Sequence, residues 1–159
     1  MKQKHYDYKS LRFSVGLFAL AIGWYLMNRQ FKYFKYEDFQ DKLSGANKTS
    51  PKLIRLLDKA RELAGVPFIV NSGYRDANHP ETIKNPTSSH TKGLAADIAV
   101  NDSNRDIIQR ALREVGFTRI GLANSFIHVD IDKEKTQYVT WFYNGNPTLY
   151  NQSSEVYYA

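Results

Sequence analysis

The sequence predicts an α+β domain: a small, mostly antiparallel sheet packed with two main helices and preceded by an N-terminal apolar helix. Three observations carry this. Two stretches, 51–64 and 105–115, place apolar residues at helical spacing. Segment 94–100 alternates strictly, and short apolar runs follow at 117–121, 125–131 and 138–143. The chain has no internal repeat. At 159 residues, with 42% hydrophobic and 14% aromatic residues, it favours one folded domain with a real core.

Taken in order, residues 13–28 (FSVGLFALAIGWYLMN) carry no charge and are bracketed by Arg12 and Arg29. A helix of that length reaches roughly 24 Å, slightly under the hydrocarbon thickness, and the flanking arginines with Trp24 and Tyr25 suit the interfaces. Ala19-Leu20-Ala21 has the form of a signal-peptide cleavage site, yet it lies inside the run rather than after it. The run also lacks the polar face of a core helix in a small domain. An uncleaved membrane anchor is therefore expected. The chain divides into a basic segment with anchor at 1–30, a folded domain at 31–143, and an extended tail at 144–159.

The net charge of +6 invites a nucleic-acid partner, but its distribution argues against one. Residues 1–35 hold Lys2, Lys4, Lys9, Arg12, Arg29, Lys32 and Lys35 against Asp7 alone, so the remainder of the chain is neutral. The folded domain needs no basic patch.

Within the domain, Ser50 is a candidate N-cap, Pro51 the first helical residue and Gly65 the stop. Leu53, Ile54, Leu56, Leu57, Ala60, Leu63 and Ala64 form the apolar stripe. Residues 67–72 read as a short buried strand closed by Gly73. Residues 75–92, rich in Asn, Pro, Ser, Thr and His, read as a long loop of the kind that often carries function. In the strand at 94–100, Leu94, Ala96, Ile98 and Val100 share one face, and Ala95, Asp97 and Ala99 the other. Ser103 and Asp106 have capping-box spacing before a second helix with Ile107, Ile108, Ala111, Leu112 and Val115 on its stripe, ended by Gly116.

Asp97 is the odd residue in its strand. A carboxylate between Ala95 and Ala99 is expensive to bury without a cation or strong donors. Gly93 permits a sharp bend that folds His90 back over the strand. His128 is likewise the polar exception among Phe126, Ile127 and Val129. Singly, each residue reads more simply as a satisfied core histidine or a turn aspartate. Together, two imidazoles and one carboxylate with a position left to water match a catalytic zinc site. Cysteine is absent, so any metal must be held by histidine and carboxylate.

The residues Ser88-x-His90-x-x-Gly93-x-Ala95-x-Asp97 resemble the S-x-H-x-x-G-x-A-x-D signature of zinc D-Ala-D-Ala carboxypeptidases and related phage and bacterial peptidoglycan peptidases. Phe126-Ile127-His128-Val129-Asp130 is similar to that family's last zinc-ligand strand, and Ser72-Gly73-Tyr74-Arg75 to its S-G-Y-R segment. The resemblance covers about residues 31–143. It implies the fold shared with the hedgehog signalling domain, one Zn2+ held by His90, Asp97 and His128, and peptidoglycan peptides as substrate. It also implies that Arg75 and Ser88 contact substrate, with Arg75 donating to an oxyanion or a substrate carboxylate. His79 and Glu81 are read as loop residues.

One departure stands out. Many members place a carboxylate three residues before the last zinc histidine, where this chain has Ser125. Serine is not an ordinary base at neutral pH. Asp130, two residues after His128 and so on the same strand face, is expected to orient His128 or activate water, or else only to anchor the strand end. The expected function is a peptidoglycan hydrolase, in a phage lysin, a virion-associated lytic protein or a wall-remodelling enzyme. Its domain would face the periplasm or cell wall, or be associated with a virion membrane. The alternative is a zinc-containing peptidoglycan-binding or structural module without catalysis.

Overall fold

The computed structural model describes residues 31–143. The expected anchor at 13–28 and the tail at 144–159 lie outside the described residues, among which no helix is long and apolar enough to cross a membrane.

Five strands form one mixed sheet: β1 (Val70–Ser72), β2 (Ala95–Ala99), β3 (Arg119–Leu122), β4 (Phe126–Asp130) and β5 (Val139–Phe142). Their spatial order is β1-β2-β4-β3-β5. The pairs β1/β2, β2/β4 and β3/β4 are antiparallel, and β3/β5 is parallel. The helices are α1 (Pro51–Ala64), α2 (Pro80–Lys84) and α3 (Arg105–Glu114), with a 3-10 turn at Tyr36–Phe39.

Strand alternation divides the sheet's chemistry. Ala96 and Ile98 of β2, Ile120 and Leu122 of β3, and Ile127 and Val129 of β4 face the helices. There they pack with Leu53, Ile54, Leu57 and Ala60 of α1, Ile108, Ala111 and Leu112 of α3, and Phe31, Phe34, Phe39, Phe68 and Phe117. Each large aliphatic side chain buried there contributes on the order of 1.5–3 kcal/mol. The opposite face carries Asp97, Arg119, Gly121, His128 and Asp130. A core on one side frees the other for polar work.

α1 starts at Pro51 and stops at Gly65 as expected, Gly65 adopting φ 64°. The Ser50 hydroxyl makes no capping bond. Several expectations need correction. The strand at 67–72 shrinks to Val70–Ser72 on the sheet edge, and Ile69 is 60% exposed. An edge position leaves one flank open to solvent, so an apolar run there need not be buried. Leu63 and Ile107, counted in the helical stripes, are exposed. The loop 75–92 contains α2, begun by Pro80, with His79 Nδ1 accepting from the Glu81 N–H at 3.1 Å. The Ser103–Asp106 capping box does not form. Asn104 is the N-cap of α3, and Asn101 Oδ1 accepts from the Ser103 and Asn104 N–H groups at 3.0 and 3.2 Å.

Candidate metal centre

Asp97 and His128 are opposite residues in the β2/β4 register, which sets both side chains on the open face. His90 reaches them from the preceding loop through a tight bend at Gly93, with φ 69°. A side chain at position 93 has no space, because its Cβ would fall 2.0 Å from the Lys48 carbonyl oxygen. The loop is tied down as well. Lys92 Nζ and Ser89 Oγ donate to Asp132 Oδ2 at 3.0 and 3.1 Å, and Ser88 Oγ accepts from the His90 N–H at 3.3 Å. Ser88 thus has a local backbone partner.

The three side chains converge. His128 Nδ1 lies 2.8 Å from Asp97 Oδ1, His90 Nε2 lies 3.3 Å from the same oxygen, and the two ring nitrogens are 3.2 Å apart. Ligands about 2.0–2.1 Å from a tetrahedral zinc stand roughly 3.3 Å from one another. All three residues are buried.

The outer hydrogen bonds determine what faces inward. His90 Nδ1 sits 2.6 Å from the Gly73 carbonyl oxygen, which only accepts, so that nitrogen carries the proton. His128 has a carboxylate at each ring nitrogen, Asp130 Oδ2 at 3.2 Å from Nε2 and Asp97 Oδ1 at 2.8 Å from Nδ1; with its proton given to Asp130, Nδ1 is free to face a cation. In the neutral rings, His90 Nε2 and His128 Nδ1 then present lone pairs to one another and to a carboxylate oxygen. Three acceptors aimed at one point repel unless a cation stands among them. The donor set fits Zn2+.

Arg75 closes the other side of Asp97. Its Nη2 donates to Asp97 Oδ2 at 2.9 Å and its Nε to Ser72 Oγ at 3.0 Å. Arg75 also lines a cleft of about 240 Å³ together with Gln40, Lys42, Tyr74, His79 and Glu81. Burial opposes ionisation of Asp97, but hydrogen bonds with His128 and His90 outweigh it and hold the carboxyl well below the usual range. Burial moves His90 below its ordinary value. At His128 burial acts the same way, yet Asp130 and Asp97 prevail and the ring is raised. Asp130, though buried, stays below the ordinary carboxylate value through His128 and the Asp132 N–H.

Several contributors escaped sequence reasoning. Arg119 Nε donates to both oxygens of Asp130, at 2.8 and 3.1 Å. Trp141 of β5 lies with its ring centroid 5.4 Å from that of His128, and Tyr143 stands 6.4 Å away. Gly121 makes room for both, since a Cβ there would meet Trp141 at 2.6 Å and Tyr143 at 2.7 Å. Asp132, in the polar stretch at 132–135, is buried. A charge beside Ile120 was the only local sign of Arg119, and its role depends on the partner across the sheet; β5 offered little. Ser125, three residues before His128, is exposed at the turn between β3 and β4.

A buried His-Asp-His cluster on the open face of the sheet offers three ligands of the kind that hold a metal ion with a fourth position left open. The Peptidase M15 family profile matches residues 32–130, and the chain belongs to that family of zinc-dependent peptidases. The match ends at Asp130, before β5. A search of curated proteins found none that matches the chain.

Proposed function

We propose that this protein is a zinc-dependent peptidoglycan peptidase that cuts stem peptides or cross-links, as a D-Ala-D-Ala carboxypeptidase or an endopeptidase. The observation that carries it is the convergence of His90, Asp97 and His128 within about one ligand-to-ligand spacing, in an M15 chain. When bound, Zn2+ supplies Lewis acidity toward a peptide carbonyl and lowers the pKa of a water. His90, Asp97 and His128 hold it. The Gly73 carbonyl and Asp130 fix the two imidazole tautomers. Arg75 fixes the second oxygen of Asp97 and offers the cleft a fork suited to a carboxylate or a developing oxyanion.

Asp130 suits the orienting task foreseen for it better than a base. Its oxygens accept from Arg119, His128 and the Asp132 N–H. Ser88 is proposed as a support of the His90 turn that borders substrate. The basic segment and apolar run at 1–30 suit a membrane anchor that keeps the domain on the cell-wall side, or in a virion membrane for a phage lytic protein. The second reading, a zinc-holding module without turnover, is favoured by one observation. Position 125 is an exposed serine, while the oxygens of Asp97 and Asp130 are already engaged.

The test is incubation of the full zinc-loaded chain with purified peptidoglycan, with and without a chelator, followed by mass analysis of soluble fragments. Chelator-sensitive release of peptide fragments supports the peptidase. Tight zinc without release selects the module.

A further inference from the structure

Arg119 is a charged residue on a strand that is otherwise apolar or glycine, and it is buried. Burying a guanidinium is costly unless its charge and donors are met. Here they are met by elements of the metal centre. In the β3/β4 register Arg119 stands opposite Asp130, and Gly121, two residues on, stands opposite His128. Arg119 Nε spans both Asp130 oxygens, and Nη1 donates to the Thr136 carbonyl, which ties the segment leading into β5. Its guanidinium carbon lies 5.3 Å from the Trp141 ring centroid, within cation–π range. Trp141 in turn rests against His128.

His128 is thereby held twice through one residue. Asp130 grips the Nε2–H end of its ring, and Trp141 covers the ring; both are placed by Arg119. Without that guanidinium, Asp130 would be a buried carboxylate left with His128 and one backbone N–H. It could then turn away and release the His128 ring from the tautomer and tilt that aim Nδ1 at the ligand point. The parallel register, Gly121 against Trp141, makes the β5 side of this brace part of the sheet itself.

From this we infer that Arg119 is a positioning residue of the metal centre, acting through Asp130 to hold the Nδ1 atom of His128 on the cation. The inference rests on the zinc reading of His90, Asp97 and His128, and it adds a residue outside that ligand set.

The test uses the full chain. Zinc affinity is measured by competition with a chromophoric chelator, and the ligand field by the absorption bands of the Co2+-loaded protein. Wild type, Arg119→Gln, Asp130→Asn and the double variant form a cycle. Loss of an outer partner lowers metal affinity by about 10- to 100-fold, and that loss is expected for Arg119→Gln together with shifted Co2+ bands. Because Arg119 acts chiefly through Asp130, Arg119→Gln costs markedly less in the Asp130→Asn background than in wild type. Arg119→Lys keeps the charge without the fork, so it serves if Arg119→Gln does not fold; its affinity should lie between wild type and Asp130→Asn. Wild-type affinity and unchanged Co2+ bands in whichever Arg119 variants fold overturn the inference, as do fully additive losses in the cycle. Failure of the wild-type chain to bind zinc is a different result, and it overturns the zinc reading itself.

Discussion

Asp97 and His128 face one another across the β2/β4 ladder with Oδ1 and Nδ1 2.8 Å apart. Direct cross-strand partners share a sheet face, so this pair is set by backbone register before any loop is placed. Only His90 must be brought in from a loop. Two of the three ligand residues are therefore set by the sheet, and the third depends on the bend at Gly93.

Zinc should stabilise the fold, because the lone pairs of His90 and His128 meet at 3.2 Å. At free zinc one hundred times the dissociation constant, the gain is about 2.7 kcal/mol. Thermal unfolding with added zinc and then with chelator checks this. An unfolding temperature indifferent to both would count against a preformed centre.

Replacing Gly93 with alanine combines two penalties. The residue sits at φ 69°, and its Cβ would lie 2.0 Å from the Lys48 carbonyl. The left-handed conformation alone costs roughly 1–2 kcal/mol, and the backbone clash adds to it. Denaturant unfolding should show a loss above that range, with weaker zinc binding as His90 shifts. Full stability in the variant would mean the bend is not as described.

Arg75→Ala removes the partner of Asp97 Oδ2 and a wall of the cleft. If Arg75 also meets the developing charge, turnover should fall by about 10²- to 10³-fold, the scale of losing an oxyanion donor. Zinc affinity should fall less, since both histidines remain. A variant that loses zinc but keeps full turnover when saturated with metal would restrict Arg75 to holding Asp97.

Acid sensitivity follows from Asp41. Burial opposes its ionisation, but the N–H groups of Asp76, Leu43 and Ser44 outweigh this and hold the carboxyl below its ordinary value. A lowered carboxylate contributes stability above its unfolded pKa of about 4, and that stability is lost as pH falls through the folded value. Asp41→Asn should therefore be less stable at neutral pH and should lose less on acidification. Unfolding curves from pH 7 to pH 3 compare the two; parallel losses would exclude Asp41 as a source.

The helix-facing side of the fold was legible in the sequence because it follows period: the stripes on α1 and α3 and the alternation of β2 and β4 all recur. Asp97 and His128 were legible because polar residues inside apolar strands carry a cost that must be met, and His90 because Gly93 allows the bend that brings it to them. Residues set by tertiary pairing were not. Arg119 has meaning only opposite Asp130, and Gly121 only beneath Trp141 and Tyr143. The edge strand β1 and the short helix α2 were misjudged because one apolar run and one polar stretch each fit two local structures. The burial of Asp132 was not legible, because its partners Ser89 and Lys92 lie 43 and 40 residues away in sequence.

Direct zinc titration of the full chain, by calorimetry with metal analysis of the loaded protein, tests the centre most plainly. One zinc per chain is expected, with affinity reduced more than about 100-fold in each of His90→Ala, Asp97→Ala and His128→Ala, and retained in His79→Ala. A wild-type chain that binds no zinc, or binds it equally well after loss of any one of those three side chains, would contradict the account.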